Sequence, residues 1–246
     1  MPTTLFALLA LTLPSGMVHL APGSYRPLYA SSAASRVAVR AFALDRDAIT
    51  NGQYLIFVRH HREWARSSVA RAAADASYLA SWTSDLSVAS GRNEPVTNVS
   101  WFAANAYCAA QGKRLPTVDE WEYAATADAR RRDASADPAF RAAVLAAYSS
   151  RHVMSVRRQP ANAYGVRGLH DRVWEWTLDF NASVAGPPHA HSTSNATAHE
   201  HHAYCASAAI GAGDPSNYPA FMREAVRASL TPRSTLSGLG FRCAAS

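Results

Sequence analysis

The sequence predicts a loop-rich α+β domain, and three observations carry that prediction. Residues Pro95 to Ala125 read as a helix, a tight basic turn and a second helix. Residues Val37 to Asp45 alternate apolar and polar side chains, the period of a half-buried strand. The remaining elements are short, the connections between them are long, and no internal repeat is visible. At 246 residues, 48% of them hydrophobic, the chain is long enough to bury one sizeable core.

Taken in order, Leu5 to Leu13 is an apolar run of signal-peptide length, too short to span a bilayer. No Lys or Arg precedes it. That lack argues against a signal peptide, but the length and apolarity of the run still lead to the expectation that residues 1–15 are a signal peptide or its remnant and 16–246 a single exported domain. After the strand at Val37–Asp45, Thr50 and Gln53 form a capping box. The following helix turns Tyr54, Phe57, Val58 and His61 inward. His60 and His61 are read as packed and solvated side chains rather than metal ligands. The polar, Ala-rich stretch from Arg62 to Arg92 is expected to anchor on the core through Tyr78, Leu79, Trp82 and Leu86.

In the central pair, Ser100 caps a helix whose Trp101, Ala104 and Cys108 share one face. Gly112 stands where a left-handed C-cap is wanted. Thr117 and Glu120 open the second helix as another capping box, with Trp121, Ala124 and Ala125 inward. Ala127 to Asp137 reads as charged surface. Pro138 starts a helix through Tyr148, and Asn162-Ala-Tyr-Gly165 is a turn. Val173 to Phe180 reads as a strand with Trp174, Trp176 and Phe180 on one face. Gly186 to His202 is a Pro-, Ser- and His-rich loop.

The net charge of +6 is carried almost wholly by arginine, since Lys113 is the single lysine. No stripe of basic residues interleaved with aromatics appears, so a nucleic-acid partner is not expected. Asn181 and Asn195 head sequons that matter only in a eukaryotic secretory route.

The wording of several segments resembles the formylglycine-generating enzyme (sulfatase-modifying factor) family. They are Pro95-Val-Thr-Asn-Val-Ser-Trp101, Gly112-Lys-Arg-Leu-Pro-Thr117 with Glu120-Trp-Glu-Tyr123, Asn162-Ala-Tyr-Gly165 with Val173-Trp-Glu-Trp176, and Leu239-Gly-Phe-Arg-Cys243-Ala after Arg227. An earlier element, Ile49-Thr50-Asn51 with Tyr54 and Phe57, agrees in order. The resemblance implies a C-type-lectin-like α+β fold from about Gly16 to the C-terminus. It also implies a disulfide between Cys108 and Cys243, which would require an oxidising compartment; two buried free thiols are the other reading.

The family's enzymes hold copper(I) between two cysteines five residues apart, because a soft ion prefers thiolates. An ungapped count from Cys243 puts those positions at Asp214 and Pro219, and neither is a thiol. Formylglycine generation in the known manner is therefore not expected, and the catalytic residues stay unassigned. Cys205 lies upstream without a partner. The same count puts a second family disulfide at Ala125 and Glu224, where no cysteine stands.

The family's calcium site implies Glu175 as a ligand with the carbonyls of Asp171 and Val173, while Gly168 stands where an Asn or Asp is wanted. The other reading is a buried Glu175 hydrogen-bonded to backbone N–H groups. His189, His191, His199, His201 and His202, with Cys205 beside them, have the donors for copper or another transition metal but no closed-site spacing. A solvated loop is the alternative.

Asn217-Tyr218, Ala220-Phe-Met-Arg223 and Arg227-Ala-Ser-Leu230 resemble a branch of exported accessory proteins of copper enzymes, notably nitrite reductase. The sequence thus leads to a periplasmic or secreted accessory factor with a protein partner or protein substrate. The alternatives are a metal-dependent oxidase of a protein or small molecule and a lectin-like ligand-binding module.

Overall fold

A computed structural model describes residues 16–29, 35–89, 91–149, 156, 159–171, 173–181, 214 and 216–246. Strand β1 (Met17–Leu20), strand β4 (Phe42–Asp45) and strand β9 (Ala244–Ala245) form an antiparallel sheet in the order β1-β4-β9. Met17 faces Asp45 at one end and Leu20 faces Phe42 at the other. Strands β2 (Gly23–Tyr25) and β3 (Val37–Val39) make an antiparallel pair, as do β5 (Trp82–Ser84) and β6 (Ser87–Val88). Strands β7 (Trp174–Glu175) and β8 (Leu239–Gly240) lie parallel.

The helices start where their side chains can satisfy the first backbone N–H groups. Helix α1 (Asn51–His60) opens on the Thr50–Gln53 capping box, and α3 (Val118–Ala125) on that of Thr117 and Glu120. Ser100 accepts from Ala103 N at the start of α2 (Trp101–Ala110). Gly112 follows that helix with φ +66°, a conformation glycine adopts without a Cβ penalty. Helix α4 (Pro138–Tyr148) carries Pro138 in its first turn, and Asp137 caps it. Helix α5 (Tyr218–Ser229) starts at Asn217.

Two apolar clusters fill the interior. The larger packs α1, α2 and the ends of β5 and β8 around Tyr54, Trp82, Tyr107, Trp176 and Phe241. Tyr54 stacks on Tyr107 at 5.8 Å, and Phe241 meets both rings edge-on at 5.3–6.1 Å. Each fully buried ring is worth about 1.5–3 kcal/mol of transfer free energy. Cys108 and Cys243, both fully buried, are joined as a disulfide across 135 residues of sequence, tying α2 to the chain leaving β8. The smaller cluster lies between the β1-β4-β9 sheet and α3, around Leu20, Phe42, Leu44, Trp121 and Leu169.

Four expectations are revised. The strand read from Val37 to Asp45 is two strands: the chain leaves β2's ladder after Val39 and joins β1's at Phe42. All four residues of β4 are buried, so alternation ends there. The strand read from Val173 to Phe180 pairs only at Trp174–Glu175, although Trp176 and Phe180 are buried as expected. Leu86 is exposed, while Tyr78, Leu79 and Trp82 do reach the core. Helix α5 has no counterpart in the sequence reading. Its buried positions include Arg223, Glu224 and Arg227, so its inward face is charged, while Tyr218, Phe221, Met222 and Ala225 form an apolar stripe on the less buried side. Residues 1–15 and the loop from 186 to 202 lie outside the described residues. Among the described residues no helix is long and apolar enough to cross a membrane.

Candidate functional site

Helices α3, α4 and α5, with the segment from Tyr25 to Tyr29, enclose a cleft of about 480 Å³. Its walls are apolar at Leu28, Val118, Phe140 and Val144, and its floor is charged. Glu122, buried on α3, accepts from Arg223 Nε at 2.8 Å and Nη2 at 2.6 Å, and lies 2.7 Å from Arg227 Nη1. Arg227 also donates to Glu224 Oε1 at 2.8 Å, and Arg223 to the Tyr148 hydroxyl at 3.1 Å. The indole of Trp121 lies under both guanidiniums, at 5.6 and 5.3 Å. Burial alone would push the Glu122 carboxyl up, but Arg223 and Arg227 together hold it down at about 2. Burial likewise opposes the charge on Arg223, and Glu122 restores it.

The floor continues inward. Trp121 Nε1 donates to Glu175 Oε2 at 2.8 Å, and Arg242 grips the same carboxylate through Nε at 2.7 Å and Nη2 at 2.8 Å. The other donors of Arg242 reach the carbonyls of Asp45, Arg46 and Arg167. All five guanidinium N–H groups are thereby satisfied in a side chain with no exposure at all. The two motifs read as Val173-Trp-Glu-Trp176 and Leu239-Gly-Phe-Arg-Cys243 meet in this ion pair.

This arrangement bears on the calcium-type residues. Asp171, Val173 and Glu175 do come together, at a void of about 10 Å³ shared with Gln159 and Gly168. Glu175 has already given both oxygens to Arg242, however, and the Asp171 carboxylate accepts from the Gln159 amide. Gly168 adds no side-chain oxygen. A hard cation needs about six oxygen ligands, whereas the residues present fit a guanidinium. Among the described residues no three His, Cys, Asp or Glu side chains converge on a point where a metal could sit. His189, His191, His199, His201, His202 and Cys205 lie outside the described residues. His61 stacks on Phe57 at 4.7 Å and lies 3.5 Å from Glu63, and His60 faces solvent.

The positions counted for the catalytic cysteines fall at the rim of the cleft. Asp214 accepts from Arg141 Nη2 at 2.6 Å and from Ser216 N at 3.1 Å. Pro219, in the first turn of α5, lines the wall. Ala125 and Glu224, counted for a second disulfide, also line it. The chain has three cysteines, and two are bonded to each other away from this cleft.

Sequence reasoning missed two groups of the cleft. His170, beside Trp121 and Phe140, bonds to the Ala125 carbonyl through Nε2 at 2.7 Å. Burial, and then the charge on Arg223, push its imidazole down to about 4. Tyr25 donates to Asp119 Oδ1 at 2.7 Å, and burial raises its phenol far above the usual range. Two buried acceptors around the cleft, His170 Nδ1 and Glu224 Oε2, have no hydrogen-bond partner among the described residues. Each such atom left unpaired costs roughly 1–3 kcal/mol.

Comparison with known proteins identifies the family. The family described as "Sulfatase-modifying factor enzyme 1-like domain" matches residues 9–246. The formylglycine-generating enzyme of Streptomyces coelicolor is 31% identical over 265 aligned residues, covering 85% of this chain and 79% of its own. "Inactive C-alpha-formylglycine-generating enzyme 2" of Mus musculus is 30% identical over 166 residues, covering 62% of this chain and 49% of its own. Among solved structures, PvdO from Pseudomonas aeruginosa superposes with a TM-score of 0.51 at 17% identity, covering 94% of each chain. That similarity concerns the fold.

Proposed function

Since the chain belongs to the family of sulfatase-modifying factor enzyme 1-like domains, we propose that it keeps the family's cleft for binding and has given up copper(I)–thiolate oxidation. The observation that carries this is the rim of the cleft. Where the family's cysteines are counted, Asp214 is tied to Arg141 and Pro219 sits in a helix turn. With Cys108 and Cys243 bonded to each other, one thiol remains in the chain, and a two-thiolate copper site needs two. A relative is described as an inactive formylglycine-generating enzyme, which supports the reading.

On this reading the protein is an accessory or maturation factor, and its partner is an exported copper metalloenzyme of the nitrite reductase type. The buried Cys108–Cys243 disulfide suits an oxidising compartment outside the cytoplasm. The cleft has the makeup of a recognition site: apolar walls, a rigid floor of paired charges, and a volume within the usual range for bound groups. The residues of this chain hold and orient the partner; no electron transfer is assigned to them.

The test is co-expression of a copper-containing nitrite reductase with the wild-type chain, with a Tyr29→Ala/Arg141→Ala variant, or with neither. The expected result is full copper occupancy and activity of the reductase with the wild-type chain only. Copper occupancy that is the same in all three cultures would refute the accessory role.

A further inference from the structure

Resting on the reading of this cleft as a binding site, we infer that the group it takes is a primary ammonium carried on an apolar body. Two acceptors around the same cleft, Glu224 Oε2 and His170 Nδ1, stand without a donor among the described residues. For His170 the tautomer follows from its partner. A carbonyl can only accept, so the bond to Ala125 O puts the proton on Nε2 and leaves Nδ1 as a lone pair. For Glu224, Oε1 is taken by Arg227, so a single carboxylate oxygen remains. A planar guanidinium is best matched by two oxygens in a fork, whereas an ammonium is a compact point charge that one oxygen can receive.

The charges around the cleft agree. Asp119, Glu122, Asp179 and Glu224 line it against Arg26, Arg141 and Arg223, and Arg141 is itself neutralised by Asp214. With Asp214 and Arg227 counted in, Glu122 and Glu224 balance Arg223 and Arg227, Asp214 balances Arg141, and Asp119 and Asp179 face Arg26, so the balance is acidic by one charge. An anionic head group at the same place would meet lone pairs. The apolar body follows from Leu28, Phe140 and Val144. Both acceptors are out of contact with bulk water, so a donor brought to them gives up only its own hydration, which offsets part of the bond.

The experiment is a calorimetric titration of the full chain with three probes that share a ring and differ in head group: phenethylamine, 3-phenylpropionate and phenethyl alcohol. The amine is expected to bind at least about tenfold more tightly than either of the others. Glu224→Gln keeps the bond to Arg227 through its amide oxygen and turns the free acceptor into a donor, so the amine should weaken about tenfold or more. If that variant's melting point shows that it is poorly folded, the wild-type probe series decides alone. Equal or tighter binding of the acid or the alcohol, no binding of the amine, or an unchanged affinity in a folded Glu224→Gln would overturn the inference.

N-acetyl-lysine N-methylamide, run beside phenethylamine, separates a partner's lysine side chain from a free amine; saturable binding of either one supports the inference. Tight binding of the acid would sink the ligand class and leave the cleft as a binding site. Failure of the accessory reading itself would show separately, as copper occupancy of the co-expressed reductase that does not depend on this chain.

Discussion

Around the Cys108–Cys243 disulfide the interior is made of rings, with Tyr54, Tyr107, Trp176 and Phe241 packed against one another and almost no charge among them. Around Trp121 the interior is made of ions, with Glu122, Arg223, Glu224 and Arg227 alternating in sign above the indole and Glu175–Arg242 below it. The first region is held by transfer free energy and a covalent bond, which depend little on pH. The second spends several kcal/mol of desolvation per ion and recovers it only while every partner is present. The scaffold is thus robust around the disulfide. It is conditional where the cleft sits, and two acceptors there are left unsatisfied.

Breaking one member of either region should cost most. Trp176→Ala removes a fully buried ring and its bond to the Val99 carbonyl, and should lower stability by about 3–5 kcal/mol in denaturant titration. Glu122→Gln should cost a similar ~3–5 kcal/mol, because two buried guanidiniums lose their counter-charge. The two differ in their companions. Replacing Glu122, Arg223 and Arg227 together by Leu and Met should recover much of the loss, whereas no second substitution around Trp176 should do so. Next in size, reduction of Cys108–Cys243, or its double Ser variant, should cost roughly 2–5 kcal/mol.

Acid sharpens the contrast. Glu122 is held at about 2 when folded against 4.5 as its ordinary value, so its contribution is present above pH 4.5 and is lost as pH falls toward 2. His170 is pushed to about 4 from 6.5. The unfolded chain therefore takes up a proton that the folded one refuses, and stability is lost as pH falls from 6.5 to 4. Stability measured against pH should show both windows. His170→Phe should flatten the upper one and Glu122→Gln the lower, while Trp176→Ala should shift the whole curve and flatten neither. The smallest effect is expected at Gly240, where an added Cβ would stand 2.5 Å from the Val96 carbonyl oxygen. Gly240→Ala should cost about 1–3 kcal/mol, read as a fall in melting temperature.

The ring-built region was largely legible in the sequence. Capping boxes at Thr50 and Thr117, the Ser100 cap and the apolar face of α2 are local signals, and each lies where its residues predict. The ion-built region was not. Helix α5 hides its inward face behind Arg223, Glu224 and Arg227, and the partners of Arg223, Glu122 and Tyr148, stand 101 and 75 positions away, respectively. Glu175 was legible as a special residue, but its partner Arg242 is 67 positions distant, and a carboxylate awaiting a metal looks the same in sequence as one awaiting a guanidinium. The cleft itself was visible only as an absence, through the missing thiols at Asp214 and Pro219.

The central claim is that this cleft binds without thiolate oxidation, and oxygen uptake tests it most directly. The full chain would be loaded with copper(I) under reducing conditions and given a cysteine-containing peptide, with oxygen followed by electrode and the peptide by mass. The account predicts no uptake above a copper-only control and an unchanged cysteine. Copper-dependent uptake with conversion of that cysteine to an aldehyde would contradict it.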